Sequence, residues 1–120
     1  MSSHGRRMPS FGMALALVVA HTGPGYAAGM TDADAKAFMN ATGCNGCHAL
    51  DESRIGPRLR DVSRRYRAAQ DGALPRLVAK IRYGGAGAWG LVPMIANPRL
   101  TAQDAQDIAA WILALPAEAP

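Results

Sequence analysis

The sequence predicts an all-α fold, built from four or so short helices. Four stretches repeat apolar side chains at helical spacing, two of them open on a Thr-x-x-Asp capping pattern, and no stretch shows the alternation of a half-buried strand. With 120 residues the chain is one small domain, and its own apolar core is limited.

The first 28 residues read as a cleavable secretory signal peptide, which leaves 29–120 as the folded domain. Arg6 and Arg7 precede the apolar run Phe11 to Ala20, and Gly25-Tyr26-Ala27-Ala28 offers small residues for cleavage after Ala27 or Ala28. The run is too short to span a bilayer. Two other readings are a buried N-terminal helix that is not cleaved and a retained N-terminal anchor. Removal of the leader takes away His4 and His21, so His48 becomes the single histidine of the mature chain. It also removes two of the 13 basic residues, so the formal charge falls from +4 to +2. So small a charge, with few aromatic residues, argues against a nucleic-acid partner.

Thr31 with Asp34 starts the first helix, which runs to about Thr42 and presents Ala35, Phe38, Met39 and Thr42 on one face before Gly43 stops it. Ala49 to Pro57 loses periodicity and closes on the turn Ile55-Gly56-Pro57. Leu59, Val62 and Tyr66 then mark a short helix, with Arg58, Arg60, Arg64, Arg65 and Arg67 expected on its outer face. Such a charge run reads as a solvated surface in preference to a docking patch. The next helix starts near Gly72, accepts Pro75 in its first turn, carries Leu74, Leu77, Val78 and Ile81, and stops at Gly84-Gly85. Gly84 to Pro98 is a glycine-rich loop expected to fold against something flat. Thr101 with Asp104 opens the last helix, which has Ile108, Trp111, Ile112 and Leu115 on its apolar face and ends at Pro116.

The chemistry is concentrated in Cys44-Asn45-Gly46-Cys47-His48. Two thiols three residues apart, followed at once by an imidazole, form the pattern of c-type haem attachment, in which both sulfurs bond the porphyrin vinyl groups and the histidine binds the iron. A thioredoxin-like redox pair would want a βαβ context, which is missing. Zinc needs four ligands, and beyond the leader no further Cys or His is available, so a structural zinc site would have to be finished with carboxylates. A plain disulfide leaves His48 unexplained. Haem is therefore the favoured reading, and it would supply much of the core that the short chain lacks.

The iron's remaining axial position follows by elimination. Met30 lies at the new N-terminus, and Met39 lies on the helix leading into the motif. Met94 sits in the glycine-rich loop, 46 residues beyond His48, with ample chain to travel round the ring edge. Its thioether is soft and needs no deprotonation. His48 and Met94 are thus the expected metal ligands.

Taken together, Gly43-Cys44-Asn-Gly-Cys47-His48, Ile55-Gly56-Pro57, Lys80-Ile81, Gly87-Ala-Trp89-Gly-Leu-Val-Pro93-Met94-Ile-Ala-Asn97 and a last helix with Trp111 resemble the small class I cytochromes c of bacteria. The likeness is to the short single-haem subgroup that carries electrons in the periplasm. The resemblance implies a class I cytochrome c fold, in which the first and last helices cross and two shorter helices help enclose one covalently attached haem. It further implies that the Pro57 carbonyl accepts a hydrogen bond from the proximal histidine, that Met94 is the distal ligand, that Asn97 lies near the methionine sulfur, and that Lys80 and Trp89 contact the haem propionates. The chain departs from the family pattern at Ile95 and Ala96, where prolines are common, at Met39, where an aromatic is common, and in its arginines after Gly56-Pro57.

The expected function is one-electron transfer in the periplasm, between a donor and an acceptor protein that dock transiently. The alternative is a dedicated cytochrome subunit of a periplasmic dehydrogenase or reductase. No acid–base pair suggests an enzyme: Asp51, Glu52, Asp104 and Asp107 read as helix-end and surface charges. No stable membrane insertion is expected after cleavage.

Overall fold

Thr31 and Asp34 build the first helix from both sides of its N-terminus. The Thr31 hydroxyl accepts the Asp34 backbone N–H, while the Asp34 carboxylate accepts from the Thr31 N–H and hydroxyl. The helix that follows, α1, spans Asp32–Thr42 and ends at Gly43, whose φ of 78° is open to glycine at little cost. In the computed structural model, which describes residues 29–69 and 71–118, three further helices follow: α2 (Leu59–Ala68), α3 (Ala73–Tyr83) and α4 (Ala102–Ala114). A single 3-10 turn, Cys44–Gly46, sits between α1 and α2, and no strand occurs among the described residues beyond two isolated bridges. The expected leader, residues 1–28, lies outside the described residues.

The last helix organises the core. It packs against both α2 and α3. Its buried face, Ala105, Ile108, Ala109, Trp111 and Ile112, meets Leu59 and Val62 of α2 and Leu77 and Ile81 of α3 in one cluster that also takes in Ala35 and Met39 of α1. The Trp111 indole N–H donates to Asp32 Oδ1 at 2.9 Å and ties the start of α1 to α4. Thr101 and Asp104 repeat the reciprocal cap at the start of α4. At its other end, Ser63 of α2 donates to the Leu115 carbonyl at 2.9 Å, which satisfies a backbone acceptor that the helix itself leaves free.

Arg60 corrects the expected basic outer face of α2. It is buried, at 5 % relative exposure. Its guanidinium pairs with Asp51 and donates to the Pro116 carbonyl at 3.0 Å. Leu59, Arg60, Val62 and Ser63 together form the inward side of the helix, and the long arginine reaches past the core to the chain's C-terminal segment. Asp51 is accordingly a structural partner as well as a surface charge. Arg58 and Arg64 both pair with Asp61, at 2.7 Å each.

Hydrogen bonds from the Thr31 side chain, then from its backbone, hold Asp34 below the ordinary carboxylate range, and Thr101 does the same to Asp104. Because these pKa values are depressed in the folded state, the unfolded chain binds more protons in acid. Their contribution is present above the unfolded value of about 3.9 and is lost as pH falls through the folded values. The haem-bearing protein should lose urea stability as pH falls below about 4, and the double variant Thr31→Ala/Thr101→Ala should lose less across that interval. Parallel pH profiles would contradict the assignment.

Candidate functional site

The chain leaves α1 at Gly43 and turns at once, so that the N–H groups of Cys47 and His48 both donate to the Cys44 carbonyl, at 3.2 and 3.0 Å. This turn places both cysteines and His48 on the wall of one cavity of about 750 Å³, within the size range of cofactor sites. The thiols are half-buried and not bonded to each other. The Thr42 hydroxyl lies 3.2 Å from Cys44 Sγ and donates to or accepts from it.

The segment 49–57 folds back beneath the motif. The Gly56 N–H donates to the Cys47 carbonyl at 2.8 Å, and the Leu59 N–H to the Ala49 carbonyl at 2.8 Å. This return sets the Pro57 carbonyl 2.8 Å from His48 Nδ1. A carbonyl can only accept, so Nδ1 carries the proton and Nε2 keeps its lone pair. Gly56 makes the approach possible: a Cβ there would run into the imidazole, lying 2.8 Å from Nδ1 and 2.9 Å from Nε2. Sequence reading found the turn but gave Gly56 no such role.

The loop after α3 supplies the remaining wall. Gly85 and Met94 exchange backbone hydrogen bonds of 2.9 and 3.1 Å, which pins the methionine at the loop's return. Gly84 stands where the two strands of the loop meet, at φ 67° and ψ −148°, a region essentially restricted to glycine. A Cβ at Gly84 would collide with the Met94 carbonyl and lie 2.7 Å from the Ala96 nitrogen.

All eight residues expected in the site, Cys44, Cys47, His48, Pro57, Lys80, Trp89, Met94 and Asn97, line this same cavity. Lys80 comes from the last turn of α3, and Trp89, Met94 and Asn97 come from the loop. Much of the remaining wall is apolar, with Leu59, Val62, Leu77, Ile81 and Ile108 among its residues. Two features escaped sequence reading. Tyr66, read as a helix-core residue, also lines the cavity, and the Arg65 guanidinium covers the Trp89 ring at 4.6 Å from its centroid. Tyr66 was visible as the third residue of the α2 stripe, whereas nothing in the local sequence joins Arg65 to Trp89.

The cytochrome c family model matches residues 32–116, and the chain belongs to that family as a small bacterial class I cytochrome c. It is 44 % identical over 77 residues to cytochrome c-551 of Allochromatium vinosum, covering 62 % of this chain and 78 % of that protein. It is 39 % identical over 88 residues to cytochrome c-552 of Nitrosomonas europaea, covering 73 % and 84 %. The crystal structure of wild-type Nitrosomonas europaea cytochrome c552 superposes with a TM-score of 0.61 at 35 % identity, over 65 % of this chain and 95 % of that one.

The protein accordingly carries one covalently bound haem c. The donor set fits: two unpaired thiols, one imidazole with a free lone pair and one thioether lie on the wall of a largely apolar cavity.

Gly56→Ala should push the imidazole off the Pro57 carbonyl and lower stability by about 1–3 kcal/mol, the usual cost of overpacking. Guanidinium unfolding of the haem-bearing variant measures this, and a loss below about 0.5 kcal/mol, within ordinary surface effects, would contradict the close contact. Gly84→Ala should break the Gly85–Met94 pair, seen as faster hydrogen exchange at the Met94 amide; unchanged protection would count against the pairing.

Proposed function

We propose that this chain is a periplasmic one-electron carrier, cycling between a donor and an acceptor protein and catalysing no reaction of its own. Bound haem supplies the ferric/ferrous couple. Cys44 and Cys47 would hold it through thioether bonds, and His48 Nε2 and the Met94 sulfur would bind its iron. The observation that carries this reading is that His48, with its Nδ1 proton committed to Pro57, and Met94, pinned through Gly85, line one cavity from two separate segments of chain.

The protein's own groups suit an electron and not a proton. Neutral imidazole and neutral thioether need no change of protonation to serve both oxidation states. The Pro57 carbonyl fixes the ring's tautomer and orientation and raises the basicity of Nε2. Lys80 and Trp89 would hold the propionates at the cavity rim, and Asn97 would stand near the methionine sulfur. Ile55, Val92 and Ile95 line the cavity and are 69, 64 and 82 % exposed, which gives the rim an apolar surface for brief contact with a partner. Export is supported by the sequence pattern of residues 1–28. No helix among the described residues is long and apolar enough to cross a membrane.

The haem-bearing protein should titrate reversibly as a single one-electron couple, and its reduced form should not bind carbon monoxide. Met94→Ala should admit carbon monoxide and lower the midpoint potential by more than about 59 mV, a tenfold change for one electron. Carbon monoxide binding by the native protein, or an unchanged spectrum in the variant, would contradict the ligand assignment. A complex with an enzyme that survives high salt would contradict the free-carrier reading.

A further inference from the structure

Charge is divided between the helices. Across α2 and α3 stand seven basic side chains, Arg60, Arg64, Arg65, Arg67, Arg76, Lys80 and Arg82, against the single acid Asp61. Across α1 and α4 the balance reverses, with Asp32, Asp34, Asp104 and Asp107 against Lys36. Ion pairing does not cancel the difference. Arg60 and Arg64 have carboxylate partners, but among the described residues Arg65, Arg67, Arg76, Lys80 and Arg82 have none within 4.0 Å.

Three of these cations, Arg65, Arg76 and Lys80, adjoin the cavity. Arg65 lies over Trp89, and Arg76 lies 6.0 Å from the centre of the Tyr66 ring. Both aromatic rings line the cavity, as does Lys80, one helical turn beyond Arg76 on α3. Arg65, Arg67 and Arg76 are themselves exposed to solvent. A bare charge run reads as a solvated surface, but this one meets the wall of the cavity at Trp89 and Tyr66.

We propose that the α2–α3 face, with Arg65, Arg67 and Arg76 at its centre, docks an acidic redox protein and brings it against the Trp89 and Tyr66 side of the cavity. The proposal rests on the electron-carrier reading and adds to it the chemistry of the partner and the side of approach. Opposite charges at this rim would speed encounter and orient it, and the effect would weaken as salt shortens the Debye length from about 30 Å at 0.01 M to about 8 Å at 0.15 M. The acidic residues of α1 and α4 would repel such a partner from those helices.

Stopped-flow oxidation of the reduced haem-bearing protein tests this, with plastocyanin of acidic net charge as the protein oxidant and a neutral quinone as a small one. Raising salt from 0.01 to 0.3 M should slow the plastocyanin reaction about tenfold or more. Arg67→Gln/Arg76→Gln should slow it about three- to tenfold at low salt and flatten its salt dependence. Lys36→Gln, on α1, should leave it close to the native rate, and all variants should reduce the quinone alike. Equal effects of α1 and α2–α3 substitutions, or no salt dependence, would overturn the docking face while quinone reduction leaves the carrier reading standing. Failure to reduce either oxidant would overturn both. Sedimentation with phosphatidylserine vesicles closes the remaining route: binding that depends on Arg67 and Arg76, with plastocyanin rates unaffected, would mark a membrane-facing surface and refute the protein partner.

Discussion

The hydrogen bond from His48 Nδ1 to the Pro57 carbonyl, 2.8 Å long, is the interaction on which the site depends. It holds the proton of the neutral ring on Nδ1, which leaves Nε2 as the nitrogen able to bind a metal. The surrounding chain serves this contact. Gly56 gives up its side chain to let the ring lie flat over the backbone, the Cys47 carbonyl holds Gly56 in place, and Leu59 continues the return into α2. Arg60 then anchors the same segment to Asp51 and to the C-terminal stretch at Pro116.

The opposite contribution comes from a loop with little side-chain bulk of its own. Backbone pairing between Gly85 and Met94 fixes the methionine, and Gly84 allows the loop to close by taking a conformation that other residues rarely adopt. Both walls therefore rely on backbone approach at a glycine. A small domain with a limited core can hold two ligands in register this way, because the constraint is local and does not need a large apolar interior. The cavity itself replaces core: helices α2, α3 and α4 direct Leu59, Val62, Leu77, Ile81, Ile108 and Ile112 toward it, and the haem completes their packing.

The helices were legible in the sequence because a stripe at i, i+3 and i+4 is written in short-range terms, and so were the ends marked by a Thr-x-x-Asp cap, by Gly43 and Gly84 or by Pro116; α2 carries no such marker. That the eight expected site residues would share one cavity was legible from three sources: the motif for Cys44, Cys47 and His48, elimination for Met94, and the family resemblance for Pro57, Lys80, Trp89 and Asn97. What escaped was set by distant partners. Arg60 stood in an arginine run and read as exposed, yet its partners are Asp51, nine residues before it, and Pro116, 56 residues after it. Gly84 read as a helix stop, whereas its indispensable role is to clear the Met94 carbonyl. Arg65 and Trp89 meet only because α2 and the loop are brought together in the fold. Helical spacing carries no information about any of these.

Electron carriage by this chain depends on Met94 completing the coordination begun by His48. Proton NMR of the reduced haem-bearing protein, with its methionine methyl groups isotopically labelled, reads this directly, since a methyl held over the porphyrin face is shifted far upfield by the ring current. One strongly shifted methyl is expected, and it should vanish on substitution of Met94 alone. A shifted signal that survives Met94→Ala and disappears with Met39 or Met30, or a native protein with no shifted methyl at all, would contradict the axial pair.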